Sequence, residues 1–423
     1  MVVEGSDGVS AGEAVHLLRR SELAAWIIDR PPALLSHAVE NPRPLEPAFT
    51  RSAREVVQGR GAGAQSNPVV EVVMKKSTKA KAAVQVCVGI DVSAHDLSVG
   101  MRRDIEDRVT VTTFANSAAG HKALLVFLLP GNARVRVCLE ASGNYSLDLA
   151  LTLQAHRQVE ISVVNPRRAR RFAESLGERS KTDRVDARVL CEYAARMPWV
   201  PWQPPSPVAL HVRALTRAIV DLSCIHTQQN NRAHAAAASH ALPGLVVKEM
   251  QRHQKYLEQR MTRLRREALR LVAGHLELDR RYRLMLTATG IGETSALQIL
   301  GELAVLPDTL DARQWVAFSG LDPRLFKSGK SVEKRPRISR GGSRHLRRAL
   351  YMPALVALRR DPHLRRFYQN LLARGKARLQ AVVAVMRKLL HALFAMFRTN
   401  QPYDGSKLCC AVNMPGNAIA ACA

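Results

Sequence analysis

The feature that most constrains the fold is an alternation of β-rich and helical stretches between residues 84 and 196. Three β-rich runs come first, and strand and helix patterns then alternate. Adjacent hairpin strands followed by strand–helix units predict an α/β domain, in which helices flank a mixed sheet. The predicted strands are 84–92, 96–102, 108–114, 134–140 and 159–164, and the predicted helices are 118–129, 145–155, 167–176 and 183–196.

The second half of the chain is predicted to be mostly helical. A proline-rich linker over 201–207 precedes two long helical stretches, 208–240 and 246–276. In the second stretch, apolar residues from Met250 to Leu271 keep a 4/3 repeat for about three heptads. This repeat predicts a coiled coil or, equally, a helix that packs on its own domain. The remaining predicted helices lie on both sides of 290–292, from about 344 through 351, at 363–373 and at 377–397.

Residues 1–73 differ in composition from the rest. They contain nine acidic residues, seven basic residues and six prolines, without a sustained periodic pattern. This composition predicts a poorly ordered extension. Met74, which precedes a lysine-rich run, resembles a natural translation start, so we expect that the extension reflects a misassigned start. The predicted segments are this extension (1–73), the α/β domain (84–200), a helical or coiled-coil linker (201–279), a mostly α-helical C-terminal domain (280–404) and a tail (405–423).

The chain is strongly basic, because 63 Lys and Arg residues outnumber 36 Asp and Glu residues and give a net charge of +27. This excess predicts a polyanionic partner, most simply nucleic acid, and an acidic membrane surface is the competing interpretation. We predict no transmembrane helix, since Arg387, Lys388 and His391 interrupt the most apolar stretch, 379–397. The seven cysteines lack paired spacing, which is typical of reduced thiols in a cytoplasmic protein.

Four acidic residues are candidate metal ligands. Asp91 and Glu140 end predicted strands, and Asp183 and Asp186 are three residues apart, which places them on one face of a helix. Hard oxygen ligands in this number suit Mg²⁺ or Mn²⁺, and two such ions can polarise a phosphodiester. Taken singly, each acid is more often a helix cap or a member of a surface ion pair. Asp183, for example, follows Thr182 and can cap its own helix.

A serine in a basic loop is a candidate nucleophile. Ser328 lies within 327–331, where lysines and a glycine give a hydroxyl cationic surroundings and room beside a phosphate. Spacing alone does not distinguish it from Ser331, Ser339 and Ser343, each of which can donate an ordinary hydrogen bond to a phosphate. The residues predicted to contact nucleic acid are Arg184, Arg188, Gly290, Gly292, Arg324, Lys327, Lys330, Lys334, Arg335, Arg337, Arg340, Arg344, Arg347 and Arg348.

Six sequence blocks resemble one known protein family. The blocks at 88–93, 139–143 and 181–188 resemble a RuvC-like DEDD domain, and those at 320–323, 327–329 and 338–354 resemble its C-terminal transposase domain. Together they are similar to the Piv/MooV-type transposases and invertases of bacterial insertion sequences (insertion-sequence family "one-ten"). That family includes RNA-guided bridge recombinases. The resemblance runs from about Val84 to Asp404, in the family's order and spacing.

The resemblance implies a DNA transposase or site-specific recombinase with an RNase H/RuvC-like domain. Asp91, Glu140, Asp183 and Asp186 would bind Mg²⁺ or Mn²⁺, and Ser328 would be the nucleophile. The implied partners are donor and target DNA, a noncoding guide RNA and further copies of the chain. The copies would form a homodimer or homotetramer through the coiled coil, in which the serine of one subunit completes the acidic site of another. The expected location is the cytoplasm, at the nucleoid.

Two other interpretations remain open from the sequence. In a RuvC-like Holliday-junction resolvase or nuclease, the acids would act and Ser328 would be structural. In a non-catalytic nucleic-acid-binding descendant of a transposase, neither group would act. A transposase joins new DNA strands, a resolvase releases ends, and a binding protein does neither.

Overall fold

The computed structural model describes residues 85–104, 108–130, 133–238, 242–329 and 332–408. The predicted extension, Met74 and most of the predicted tail lie outside these residues. A five-stranded mixed sheet has the strand order β3-β2-β1-β4-β5. Its strands are β1 (Gln85–Val92), β2 (Asp96–Arg102), β3 (Thr110–Ala115), β4 (Arg134–Glu140) and β5 (Val159–Val164). The predicted mixed α/β sheet is therefore confirmed.

Helices form most of the remaining described chain. Four belong to the sheet region: α1 (Ala118–Leu128), α2 (Leu147–Gln154), α3 (Pro166–Ser175) and α4 (Asp183–Arg196). Eight follow: α5 (Pro207–Ala237), α6 (Gly244–Ala273), α7 (Leu276–Leu286), α8 (Glu293–Leu303), α9 (Ala312–Ser319), α10 (Arg344–Arg360), α11 (Pro362–Ala373) and α12 (Arg378–Thr399). A two-stranded antiparallel hairpin, β6 (Pro323–Ser328) and β7 (Val332–Ile338), lies between α9 and α10.

The central strands are buried on both faces of the sheet. β1 pairs antiparallel with β2 and parallel with β4, and β4 pairs parallel with β5. Side chains alternate between faces along each strand. On one face, Val88, Ile90 and Leu139 belong to an apolar cluster with α1 and α2. On the other face, Cys87 and Cys138 pack in a second cluster with α4.

Two glycines let α4 lie directly on the sheet. A Cβ atom at Gly89 would stand 2.0 Å from the backbone nitrogen of Cys191 and 2.4 Å from the carbonyl oxygen of Ala187. A Cβ atom at Gly100 on β2 would stand 2.7 Å from the same oxygen. Ala187 itself is fully buried at this contact. The absence of side chains at 89 and 100 therefore fixes how closely α4 approaches β1 and β2.

The long helices α5 and α6 pack against each other along their length. Leu257, in the predicted 4/3 repeat, is 3% exposed. Near the other end of the pair, Val212, Ala268 and Val272 belong to a large apolar cluster with α7 to α12. The pair is thus an antiparallel helical hairpin anchored in the C-terminal core, and the coiled coil between subunits stays a prediction.

One described helix, α12, is long and apolar enough to cross a membrane. Leu389, Leu390 and Leu393 on this helix are fully buried in the C-terminal cluster. Of its most apolar window, 56% is buried within the described structure.

Two sequence-based expectations differ from the structure. The stretch predicted as one helix over 246–276 ends at Ala273, and α7 begins at Leu276, because Gly274 closes α6. The stretch interpreted as a basic loop contains the hairpin of β6 and β7. Its many Lys and Arg residues hid the strand pattern, since charged residues are poor strand signals.

Candidate active site

Asp91 and Glu140 lie side by side at the edge of the sheet. Ile90 pairs with Leu139 in the parallel ladder of β1 and β4, and each acid follows directly. Because side chains alternate, Asp91 lies on the same face as Gly89, which α4 covers. The parallel register therefore brings two carboxylates from distant parts of the sequence to one place below α4.

The first turn of α4 supplies the other two acids. The hydroxyl oxygen of Thr182 accepts a hydrogen bond from the amide of Val185 at 3.3 Å, so Thr182 is the cap of this helix. Asp183 is thus free of the capping role that the sequence left open. Asp183 and Asp186 are both in the first turn and share a helical face. The contact of α4 with Gly89 holds this face close to Asp91.

The four acids influence each other electrostatically. The pKa of Asp91 is raised to about 6, first by burial and then by the charges of Asp186, Asp183 and Glu140. The pKa of Glu140 is also raised, by burial and then by Asp186. Burial likewise raises the pKa of Asp186, against the charge of Lys181. The structure therefore brings all four predicted acids into one mutually repelling group.

The chemistry of this donor set fits a hard divalent cation. Within the described ranges, none of the four carboxylates makes an ion pair with a basic side chain, so their oxygens are available. Their side chains are not closed around a common point, since no three Asp, Glu, His or Cys residues of the described chain form a compact metal-binding group. Carboxylate oxygens suit Mg²⁺ or Mn²⁺, and a cation would relieve the repulsion that raises these pKa values.

A cleft of about 410 Å³ opens beside the acids. Glu140 and Asp186 line it, together with Lys181. Helix α3 also lines this cleft, through Arg167, Arg170 and Arg171. Sequence reasoning missed these cations as site residues. The signal was present, since positions 167, 170 and 171 have the i, i+3, i+4 spacing of one helical face.

Ser328 is the last residue of β6, at the exposed tip of the hairpin. The next residue, Gly329, has φ +57°, a left-handed conformation that favours glycine and turns the chain. None of the described hydrogen bonds or electrostatic interactions joins Ser328 to one of the four acids. Within the described residues, the structure thus shows an exposed serine and a group of acids with no contact that joins the two in one chain.

The neighbouring serines are engaged in structural hydrogen bonds. The Ser339 hydroxyl donates to a carboxylate oxygen of Asp322 at 2.5 Å. The Ser343 hydroxyl donates to Glu302 at 2.7 Å, and its oxygen accepts from the amide of Leu346 to cap α10. Ser331 lies outside the described residues. Of the other three, Ser328 alone has a hydroxyl that makes no hydrogen bond with any residue that the structure describes, so this hydroxyl is available for chemistry.

The predicted nucleic-acid contacts are spread over several surfaces. Arg184, Arg324, Arg337, Arg340 and Arg344 are exposed. Arg188 is also exposed and forms a 3.0 Å ion pair with Glu178. Arg348 is half-buried, and its guanidinium donates to the Cys224 sulfur at 2.7 Å. Lys330 lies outside the described residues, as do the side chains of Lys327, Lys334 and Arg335.

Two of the predicted contacts have structural positions instead. Arg347 is 3% exposed, and its guanidinium donates to the carbonyl oxygens of Ser319 and Gly342 at 3.0 and 3.1 Å. Its role as a nucleic-acid contact is therefore corrected to that of holding the base of the hairpin. Gly290 has φ +94°, and a Cβ atom there would stand 2.5 Å from the carbonyl oxygen of Pro353. It serves helix packing, whereas Gly292, which caps α8, has open space around it.

Comparison with known protein families identifies the class of this protein. Residues 88–240 match a DEDD-type transposase family model, and residues 282–369 match the model described as "Transposase IS116/IS110/IS902 family". The two matched segments contain the acids and the serine hairpin respectively. The protein is thus a DNA-acting transposase enzyme.

Individual relatives specify the family. The chain is 30% identical over 296 residues to the pilin gene-inverting protein of Moraxella bovis, which covers 69% of this chain and 90% of that protein. It is 25% identical over 225 residues to the transposase for insertion sequence element IS1328 of Yersinia enterocolitica, covering 48% and 65% respectively. A 43.6 kDa protein of insertion element IS110 from Streptomyces coelicolor is 32% identical over 117 residues, 27% of this chain and 28% of that protein. The chain belongs to the IS110/IS116/IS902 family of transposases.

Proposed function

We propose that this transposase cuts and rejoins DNA by attack of Ser328 on a phosphodiester, at a Mg²⁺ or Mn²⁺ site formed by Asp91, Glu140, Asp183 and Asp186. The observation that carries the proposal is that Asp91 and Glu140, at adjacent strand ends, lie near the helix turn of Asp183 and Asp186, so that the four charges influence one another. The strand order β3-β2-β1-β4-β5, with a parallel β1–β4 pair, supports an RNase H/RuvC-like assignment of the domain.

The residues divide the reaction between them. The Ser328 hydroxyl gives up its proton and its oxygen forms a bond to phosphorus, while the bond from phosphorus to the leaving sugar oxygen breaks. The leaving oxygen takes up a proton, so no proton is gained or lost overall. The resulting phosphoserine link keeps the phosphodiester energy, so a second DNA strand can displace the serine without ATP. A metal ion bound by the acids would supply Lewis-acid stabilisation of the charge that develops on the phosphate oxygens.

A strand-joining assay tests this chemistry. The protein is incubated with Mg²⁺, the flanking noncoding RNA, and donor and target DNA, and products are compared with those of Ser328→Ala and Asp91→Ala. Loss of joining in both variants is expected, and Ser331→Ala, three residues further along the chain, serves as a matched control. A protein–DNA adduct that survives denaturing gel electrophoresis should form in wild type and be absent in Ser328→Ala.

Each competing interpretation predicts a different result. If wild type cleaves but never joins, the protein is a resolvase or nuclease. If it binds DNA without cleaving it, the protein is a non-catalytic relic. Joining by Ser328→Ala would refute the serine step, and activity that persists in a chelator would refute the metal site.

We further propose that the active assembly is a homodimer or homotetramer in which the serine and the acids come from different subunits. The support is that no described contact joins Ser328 to the acids within one chain. Mixing inactive Ser328→Ala with inactive Asp91→Ala should then restore joining, because one composite site contains both intact groups. No recovery in a mixture that demonstrably contains mixed oligomers would contradict the arrangement.

We also propose that a guide RNA takes part in the reaction, and we propose a cellular location for the protein. The net charge of +27 supports binding of both DNA and RNA, and both affinities should fall steeply as salt rises. Omission of the flanking RNA should abolish joining at the natural target. We expect the protein to act in the cytoplasm, at the nucleoid.

A further inference from the structure

One face of α3 bears a stripe of charged side chains along the cleft beside the acids. Arg167, Arg170, Arg171 and Glu174 all line this cleft, with the i, i+3, i+4, i+7 spacing of a single helical face. The helix is seated on the protein by the buried Ala169 and Ala173. The stripe is therefore held by the core and directed into the cleft.

Two of the three arginines have uncompensated charge. Arg170 forms an ion pair with Glu174 at 3.2 Å. Arg167 and Arg171 are exposed, and within the described chain neither forms an ion pair. Exposed, unpaired guanidinium groups on a fixed helical face are well suited to bind phosphates.

The stripe and the acids share the cleft without neutralising each other. Glu140 and Asp186 line it, yet no described ion pair joins either acid to an arginine of α3. Arg170 and Asp186 both line this one cleft of about 410 Å³, so the two walls are close. A polyanion in this cleft can place one phosphate at the acids and its neighbours along α3.

We propose that Arg167, Arg170 and Arg171 form a binding site for the DNA phosphates that flank the phosphate to be cut. The site rests on the proposed function, because the strand at Glu140 and Asp186 is then the DNA substrate. Arg167 and Arg171 are one helical turn apart, roughly 6 Å along the axis, so they can contact neighbouring phosphates. The stripe fixes the position of the strand and leaves chemistry to the acids and Ser328.

The test measures binding, so it does not depend on catalysis. Affinity for a duplex from the element end is measured by fluorescence anisotropy in a chelator, from about 50 to about 200 mM salt. The full-length double variant Arg167→Ala/Arg171→Ala is compared with wild type. The control is Arg168→Ala on the same helix, an exposed arginine that does not line the cleft. Thermal unfolding verifies that the variants are folded.

Counterion release gives the expected size of the effect. Each phosphate contact contributes roughly 0.9 to the slope of log affinity against log salt, so the double variant should lose roughly 1.8 of that slope. Across this salt range, wild type should lose roughly tenfold more affinity than the double variant. Arg168→Ala should keep a slope close to that of wild type.

Two results would overturn the site. One is an equal slope for the double variant and Arg168→Ala. The other is a double variant whose salt-dependence slope falls for binding to the flanking noncoding RNA but not for binding to DNA, which would make the stripe an RNA site. Failure of the serine or metal mechanism would leave this binding result unchanged, because the assay contains no metal ion and requires no attack by Ser328.

Discussion

Substitution of Gly89 by alanine should move the two acids of α4 away from the two acids at the strand ends. The new Cβ atom would stand 2.0 Å from the Cys191 nitrogen, and ordinary contact begins at 3.4 Å, so α4 must move outward by about 1.4 Å. The obstructing atoms are helix backbone, which cannot rotate away as a flexible side chain does. Overpacking of this kind costs about 1–3 kcal/mol of unfolding free energy.

The functional loss should exceed the loss of stability. Movement of α4 carries Asp183 and Asp186 away from Asp91 and Glu140, and a 1 Å misplacement of catalytic groups can cost about 100-fold in rate. Strand joining and the thermal unfolding midpoint are measured in the same preparations of Gly89→Ala. Joining should fall about 100-fold while the protein stays folded at the assay temperature.

A graded series makes this reasoning refutable. Gly100→Ala meets the Ala187 oxygen at a longer 2.7 Å and should have a smaller effect. Gly244→Ala, at a helix start with no atom within 4 Å, is the matched control and should behave as wild type. Wild-type joining and stability in Gly89→Ala, or a larger effect at 100 than at 89, would refute the proposed role of helix approach.

Three further predictions concern stability. The pKa of Asp91 rises from 3.8 to about 6 on folding, so the folded state holds this proton more tightly and the metal-free protein loses stability as pH rises between these values. Asp91→Asn in a chelator should therefore raise the melting temperature at pH 7 but not at pH 4, and an equal change at both pH values would contradict this. Arg217→Ala leaves the buried Glu302 carboxylate without its 2.7 Å ion-pair partner and should cost about 3 kcal/mol in urea unfolding, whereas a loss below about 1 kcal/mol would mean that the pair is dispensable. Asp361→Ala removes the cap of α11 and the acceptor of the Tyr403 hydroxyl, and should cost about 2–4 kcal/mol, against about 1 kcal/mol for Tyr403→Phe.

The sheet and its acids were accessible to sequence reasoning because they depend on local patterns. Alternating apolar residues predicted all five strands, with errors of a few residues at their ends. The acids at strand ends and the i, i+3 pair on α4 were then expected to converge. Their electrostatic interaction in the structure agrees with that expectation, although their metal-binding role stays a prediction.

What the sequence did not reveal depends on contacts between distant segments. Burial of Arg347 follows from the fold around 319 and 342, so a basic run alone could not distinguish it from its exposed neighbours. The arginines of α3 were interpreted only as part of a helix. Their spacing places them on one helical face, but nothing local indicates that this face borders the acid cleft. Likewise, the engagement of Ser339 and Ser343 becomes visible only when Asp322 and Glu302 lie beside them.

The hydrogen bonds of Ser343 have a mechanical consequence. Ser343 contacts Glu302, and Glu302 is bound in turn by Arg217 on the 31-residue helix α5, which is about 46 Å long. The base of the β6–β7 hairpin is thereby connected by hydrogen bonds to this long helix. A tilt of the α5–α6 pair would swing Ser328 together with the whole C-terminal core. Under the proposed function, delivery of Ser328 to an acid site would then depend on movement of the C-terminal core as a rigid body, more than on bending of the hairpin itself.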